Sequence, residues 1–270
     1  MKRRIFTAVP LAALVAYLVL QSRPWVFVVA VTLTAEICLI EYFGISRKCG
    51  LGGLPKVAYF ATAALCGAQW AALRGLQGAV SATLLLTVIL VPIVALGVRR
   101  ELREYLGTVA STLFGILYIG LGLSWLVRTR FDSPTMGRAM TGLLLLMVWT
   151  GDIAAFVVGR GVGRRPLAPR ISPKKTWEGA AAGLAASVAV AWGFMRYFAK
   201  MPGWEAVLWV SLPVAVASQL GDLIESALKR GADMKDSGRL LPGHGGMFDR
   251  VDSLILSAPV FWMVGQLWHR

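Results

Sequence analysis

Charge is scarce in this chain. Only 16% of its 270 residues are Asp, Glu, Lys or Arg, and acids are the rarer sign, 14 against 28 bases. Soluble globular domains carry roughly a quarter charged residues, so this shortage means long uncharged stretches and excludes an ordinary soluble domain. A net charge of +14 would suit a nucleic-acid binder, but such a protein spreads its bases over a polar surface that this composition cannot supply. Reactive side chains are few as well. Cys38, Cys49 and Cys66 have no paired metal-binding spacing, and two of them fall within or beside apolar runs, where a thiol acts as a small hydrophobe. No Gly-x-x-x-x-Gly-Lys-Ser/Thr segment occurs, which excludes a P-loop NTPase. What fills the chain instead is apolar, at 57% hydrophobic residues.

A helix crosses the hydrocarbon with roughly 20 apolar residues and must satisfy its own backbone hydrogen bonds there. Nine runs qualify as spans: Ile5–Leu20, Trp25–Ile40, Val57–Leu73, Val80–Val98, Tyr105–Val127, Ala139–Val158, Ala180–Phe198, Trp204–Leu220 and Leu254–Trp268. The expected fold is an all-α polytopic membrane protein of about nine transmembrane helices, the first two short. Residues 1–140 are expected to form a lipid-facing and dimerisation scaffold. Residues 141–270 are expected to form a catalytic region with loops 159–179 and 221–253. The basic start before Ile5 also fits a signal peptide, but Gln21-Ser22-Arg23-Pro24 reads better as a turn into the next run.

Short cytoplasmic loops collect Lys and Arg. With the nine runs as spans, 20 of the 28 bases fall on the amino-terminal side and 8 on the other. This places the amino terminus and the two richest loops in the cytoplasm. Topology and attraction to anionic lipid explain bases near residues 47 and 99. They do not explain why nine of the 14 acids follow residue 150.

Asp152 sits inside an otherwise uncharged run, where a carboxylate usually faces a cavity, a partner or an ion; a structural pairing with Arg160 or Lys174 is the plainer alternative. Asp222 and Glu225 lie three residues apart, on one helical face, and Glu225 also reaches Lys229 at i,i+4. In Gly243-His244-Gly245-Gly246-Met247-Phe248-Asp249-Arg250-Val251-Asp252, the glycines permit positive φ and close approach of amides to a phosphate. Asp249 and Asp252 could instead cap the last helix, and His244 could be a structural hydrogen-bonder. Hard oxygen ligands without a Cys/His set suit Mg²⁺, which commonly bridges carboxylates to phosphates, and Asp222 with Asp249 is the first choice. Lys174, Lys175, Lys229, Arg230, Lys235 and Arg250 then read as phosphate partners.

The segments Ser226-Ala227-Leu228-Lys229-Arg230, Lys235-Asp236-Ser237-Gly238 and Leu241 to Asp252 resemble the signature of the phosphatidate cytidylyltransferase (CDP-diacylglycerol synthase) family, without departure across 27 residues. Asp152, Gly159-Arg160 and Ser172-Pro173-Lys174-Lys175-Thr176-Trp177-Glu178-Gly179 resemble its second block. The first 140 residues are similar only in being hydrophobic. The resemblance implies transfer of the cytidylyl group of CTP to phosphatidic acid, dependent on Mg²⁺ with K⁺ beside it, in a homodimer of the cell membrane with a cytoplasmic site. It implies catalytic roles for Asp222, Lys229, Arg230, His244, Asp249 and Arg250, with Asp222 and Asp249 on the metal. Ser172, Lys174, Lys175 and Thr176 would cradle CTP phosphates, and Asp152, Glu178, Ser226, Lys235, Asp236, Gly245, Gly246 and Asp252 complete the substrate contacts. The alternatives are a CDP-archaeol synthase, a CTP-dependent polyprenol kinase, or a transporter with Asp152 and Asp222 along its pathway.

Overall fold

A computed structural model of the chain describes residues 2–98, 101–198, 203–238 and 245–268. Its helices are α1 (Lys2–Leu20), α2 (Pro24–Lys48), α3 (Pro55–Leu73), α4 (Ala79–Val98), α5 (Leu102–Phe114), α6 (Gly122–Phe131), α7 (Gly137–Val162), α8 (Trp177–Tyr197), α9 (Trp204–Gly231) and α10 (Phe248–Trp268). A π-helical segment, Gly115–Leu121, joins α5 to α6 into one run, Leu102–Phe131. The only strands among the described residues are β1 (Pro166–Ala168) and β2 (Ser172–Thr176). The protein is therefore an all-α, multi-pass membrane protein.

Each of the nine apolar runs of the sequence is helical almost throughout. Among the described residues six helices are long and apolar enough to cross a membrane: α2, α4, the Leu102–Phe131 run, α7, α8 and α9. Among the described residues α1 contributes a shorter apolar stretch, Pro10–Leu20. Of the others, α3 is rich in alanine and contains Gln69, and α10 opens on Asp249, Arg250 and Asp252. The outward face of α4 shows what the six share: Leu85, Leu86, Ile89, Leu90, Ile93 and Leu96 are all exposed. A soluble monomer rarely carries so large an apolar surface, whereas lipid covers it at no cost.

The chain divides into two compact units, residues 1–138 with 228–251, and residues 139–227 with 252–270. In the first, Leu39, Phe43, Leu65, Ile116, Ile119 and Leu123 are fully buried. The π-helical segment comes close to its neighbours through glycine, since a Cβ on Gly115 would lie 2.9 Å from Tyr42 Cε1. On either side of it polar side chains satisfy backbone groups. Tyr42 Oη donates to Ser111 O (2.9 Å), Leu54 N donates to Thr112 Oγ1 (2.9 Å), and the buried Arg130 donates through Nε to Val19 O (2.6 Å).

In the second unit two stripes of small residues at four-residue spacing bring α7 and α8 together: Gly151, Ala155 and Gly159 against Gly179, Gly183 and Ser187. A Cβ on Gly179 would sit 2.6 Å from Ala155 O, and one on Gly183 would sit 2.9 Å from Gly151 O. Without a hydrophobic force between helices in lipid, this close backbone approach is what gives their contact its dispersion energy. Ser187 Oγ adds a hydrogen bond to Met147 O (2.9 Å).

Candidate active site

The second unit contains a cavity of ≈ 830 Å³. Helix α7 lines it with Asp152, Phe156 and Arg160, four residues apart and hence on one face, and Arg164 follows just beyond the helix. Helix α9 adds Gln219 and Asp222. The opposite wall is the β1–β2 hairpin, in which Pro166 pairs with Thr176 and Ala168 with Ser172. The turn closes when Ile171 N donates to Ala168 O (3.1 Å). Side chains alternate along a strand, so Lys174 is exposed while Lys175 turns inward. Its Nζ lies 2.7 Å from Asp222 Oδ2. Ser226 Oγ donates to Asp222 Oδ1 (3.4 Å).

The strand passes directly into α8. Thr176 is the extended N-cap, with φ −125° and ψ 155°, and its Oγ1 accepts from Gly179 N (3.1 Å). The positive dipole end of α8 therefore opens beside Ser172–Thr176, a setting suited to phosphate. Trp177 N donates to Arg165 O (3.0 Å), and both carboxylate oxygens of Glu178 accept from Arg165 N (3.3 Å each). Glu178 thus ties the foot of the hairpin to α8. Asp152 is within electrostatic reach of Asp222 and Lys175, with Ser253 nearby. The cavity floor carries two carboxylates and one ammonium, and Arg160, Arg164 and Lys174 supply positive charge elsewhere on its wall.

A second cluster lies in the first unit. Asp249, in the first turn of α10, receives Lys229 Nζ on Oδ1 at 2.5 Å. Its Oδ2 accepts from Gly246 N (2.8 Å), Ser237 Oγ (2.9 Å) and Ser237 N (3.0 Å). Gly245 has φ 78°, and a Cβ there would lie 2.8 Å from Asp249 Oδ2, so a larger residue would meet both backbone strain and the carboxylate. Buried Glu41, on α2, accepts from Met247 N, Phe248 N and Ser237 Oγ in the same cluster.

The structure thus gathers Asp152, Ser172, Lys174, Lys175, Thr176 and Asp222 around one cavity, with Ser226 bonded to Asp222, and Lys229, Gly245, Gly246 and Asp249 in the other cluster. Lys235, Asp236 and Arg250 are exposed, and Arg230 donates through Nη1 to Met234 O (3.1 Å). Asp252 lies inside α10, where its Oδ1 accepts from Ser253 N (2.7 Å). His244 lies outside the described residues. Glu41, Arg164 and Gln219 carry no motif in the sequence; the signal for Glu41 is its charge at the end of an apolar run. Among the described residues no group of three or more His, Cys, Asp or Glu side chains is poised to hold a metal. Asp222 and Asp152 offer hard oxygens in one cavity. Asp249 offers Oδ1 to a cation only if Lys229 withdraws.

Over residues 2–268 the chain matches the cytidylyltransferase family. It belongs to that family. A phosphatidate cytidylyltransferase of Brucella suis biovar 1 (strain 1330) is 43% identical over 154 residues, 57% of this chain and 56% of that protein. One of Bacillus subtilis (strain 168) is 38% identical over 149 residues, 55% of each chain. One of Mycobacterium leprae (strain TN) is 36% identical over 159 residues, 59% of this chain and 50% of the relative. The chain spans about half the length of the relatives it matches.

Proposed function

We propose that this chain transfers the cytidylyl group of CTP to phosphatidic acid, giving CDP-diacylglycerol and pyrophosphate. The observation that carries the reading is the cavity that joins Ser172–Thr176, the N-terminus of α8, Asp152 and Asp222 in a member of the cytidylyltransferase family. Relatives named for this reaction support it. A phosphate oxygen of phosphatidic acid attacks the α-phosphorus of CTP, the bond from that phosphorus to the bridging oxygen breaks, and pyrophosphate leaves with the electron pair. A phosphate monoester is already largely ionised near neutral pH, so the attacking oxygen needs no dedicated general base. Lys174, Lys175, Ser172 and Thr176 hold the CTP phosphates. Lys229, Arg230 and Arg250 serve the lipid phosphate or the pyrophosphate, and positioning with charge stabilisation supplies most of the acceleration.

Mg²⁺ is the proposed cofactor, with K⁺ beside it. Asp222 fits Mg²⁺ as a hard oxygen ligand in a polar cavity, and Asp249 is the other proposed ligand, through Oδ1. The ion would neutralise charge on the α-phosphate and the leaving pyrophosphate. The excess of bases in the loops that carry these residues supports a cytoplasmic site, and a homodimer is the proposed assembly. The purified protein, given phosphatidic acid, Mg²⁺ and CTP labelled at either the α- or the γ-phosphate, is expected to place only the α label in lipid. Label from the γ position in lipid would make it a kinase, and no labelled lipid would overturn the reading.

A further inference from the structure

A carboxylate that no motif marks stands behind the glycine-rich loop. Glu41 belongs to α2 and is only 9% exposed. A buried carboxylate in an apolar helix is retained only when its charge is met. Here it is met by a segment about two hundred positions further along the chain. Met247 N donates to Oε1 (3.0 Å), and Phe248 N and Ser237 Oγ donate to Oε2 (both 2.8 Å). The two amides open α10 and have no earlier turn to bond to, so Glu41 caps that helix from another element.

Glu41 also accounts for two glycines of the loop. A Cβ on Gly238 would lie 2.8 Å from Glu41 Cδ, and one on Gly246 would lie 2.6 Å from the same atom. These two positions need glycine because a carboxylate occupies the space. Ser237 carries the connection one step further. Its single hydroxyl proton lies between Glu41 Oε2 (2.8 Å) and Asp249 Oδ2 (2.9 Å), and its amide donates to Asp249 Oδ2 (3.0 Å). Gly246 N completes the hold on Oδ2, leaving Oδ1 turned to Lys229.

We propose that Glu41 is a positioning residue for the cytidylyl transfer: through Ser237 and the amides at the start of α10 it sets the orientation of the Asp249 carboxylate. The proposal rests on the reading of Asp249 as a group that serves the transfer reaction. Glu41→Gln keeps the size of the side chain but turns an NH₂ toward groups that are themselves donors. The test compares the full-length Glu41→Gln protein with wild type by amide exchange across residues 245–249 and by steady-state kinetics with CTP and phosphatidic acid.

The expected result is faster exchange at Met247 and Phe248 and a kcat at least about tenfold lower, since small misplacement of a reacting constellation costs up to about a hundredfold. The KM for CTP should change by no more than about twofold. Ser237→Ala should lower kcat in the same sense, and the double variant should lose less than the product of the single losses, because both act through one chain of contacts. Unchanged exchange overturns the proposal, as does a wild-type kcat in Glu41→Gln or multiplication of the two losses. If Glu41→Gln does not fold, Ser237→Ala carries the test alone, and a wild-type kcat there overturns it. A wild-type protein that makes no CDP-lipid overturns the proposed reaction instead, while exchange in the variant still decides whether Glu41 holds the segment.

Discussion

Among the described residues each unit carries an aspartate joined to a lysine, and the two pairs are built differently. Lys175 and Asp222 meet at 2.7 Å with side chains 26% and 35% exposed, in the wall of an open cavity. Lys229 and Asp249 meet at 2.5 Å with side chains 11% and 8% exposed, and Asp249 accepts three further hydrogen bonds. A pair that water screens contributes little to stability, whereas breaking a buried pair leaves a stranded charge. The Asp222 carboxylate is thus free to exchange its lysine for an incoming cation or phosphate. The Asp249 carboxylate is part of the architecture and offers one oxygen.

The contrast is broken most severely by Asp249→Asn. Activity should fall by about a thousandfold or more as the proposed metal charge partner is lost. Stability should fall by about 3–5 kcal/mol because Lys229 stays buried. Thermal unfolding in detergent checks the second effect, and adding Lys229→Met should restore stability without restoring turnover. Asp222→Asn should cost about a hundredfold or more in kcat and leave unfolding within about 1 kcal/mol of wild type, since its pair is partly solvated. Equal destabilisation by the two substitutions would erase the distinction. Gly179→Ala must push α7 and α8 apart and should destabilise by about 1–3 kcal/mol, with a rise in the KM for CTP because the cavity wall moves with α8. Thr176→Ala removes the cap of α8 and should cost about 1 kcal/mol of stability, the smallest of these effects.

The helices are legible in the sequence because each span is a long, predominantly apolar run, which composition reports directly. How many of them cross the membrane is less so, because α3 and α10 dilute their apolar residues with alanine and charge. The Lys174-Lys175 wall, Asp152 and Asp222 stand out as charges where apolar residues are expected, and the fold brings them to one cavity. The hairpin that carries the lysines is not legible: two strands of three and five residues leave no periodic pattern. Glu41 is hidden for another reason. Its partners lie beyond residue 236, and only folding shows that the glycines near residue 246 enclose a carboxylate from α2. Gln219, whose Nε2 donates to Ala180 O (2.9 Å), is equally silent in the sequence.

The π-helical segment between α5 and α6 sets an angular phase. An α-helix turns about 100° per residue, and a wider turn shifts every later side chain relative to those before it. The Leu102–Phe131 run uses that offset: Thr112, before the segment, receives Leu54 N, while beyond it Ser124 meets Gln69 and Arg130 meets Val19 O. Closing Gly115–Leu121 into ordinary α-helix at the same length would rotate α6 by about 100°, one residue's turn, against α5, so the two sets of contacts could no longer form together. The run works as an indexed shaft, and its seven-residue segment is the gear tooth that keeps both ends in mesh.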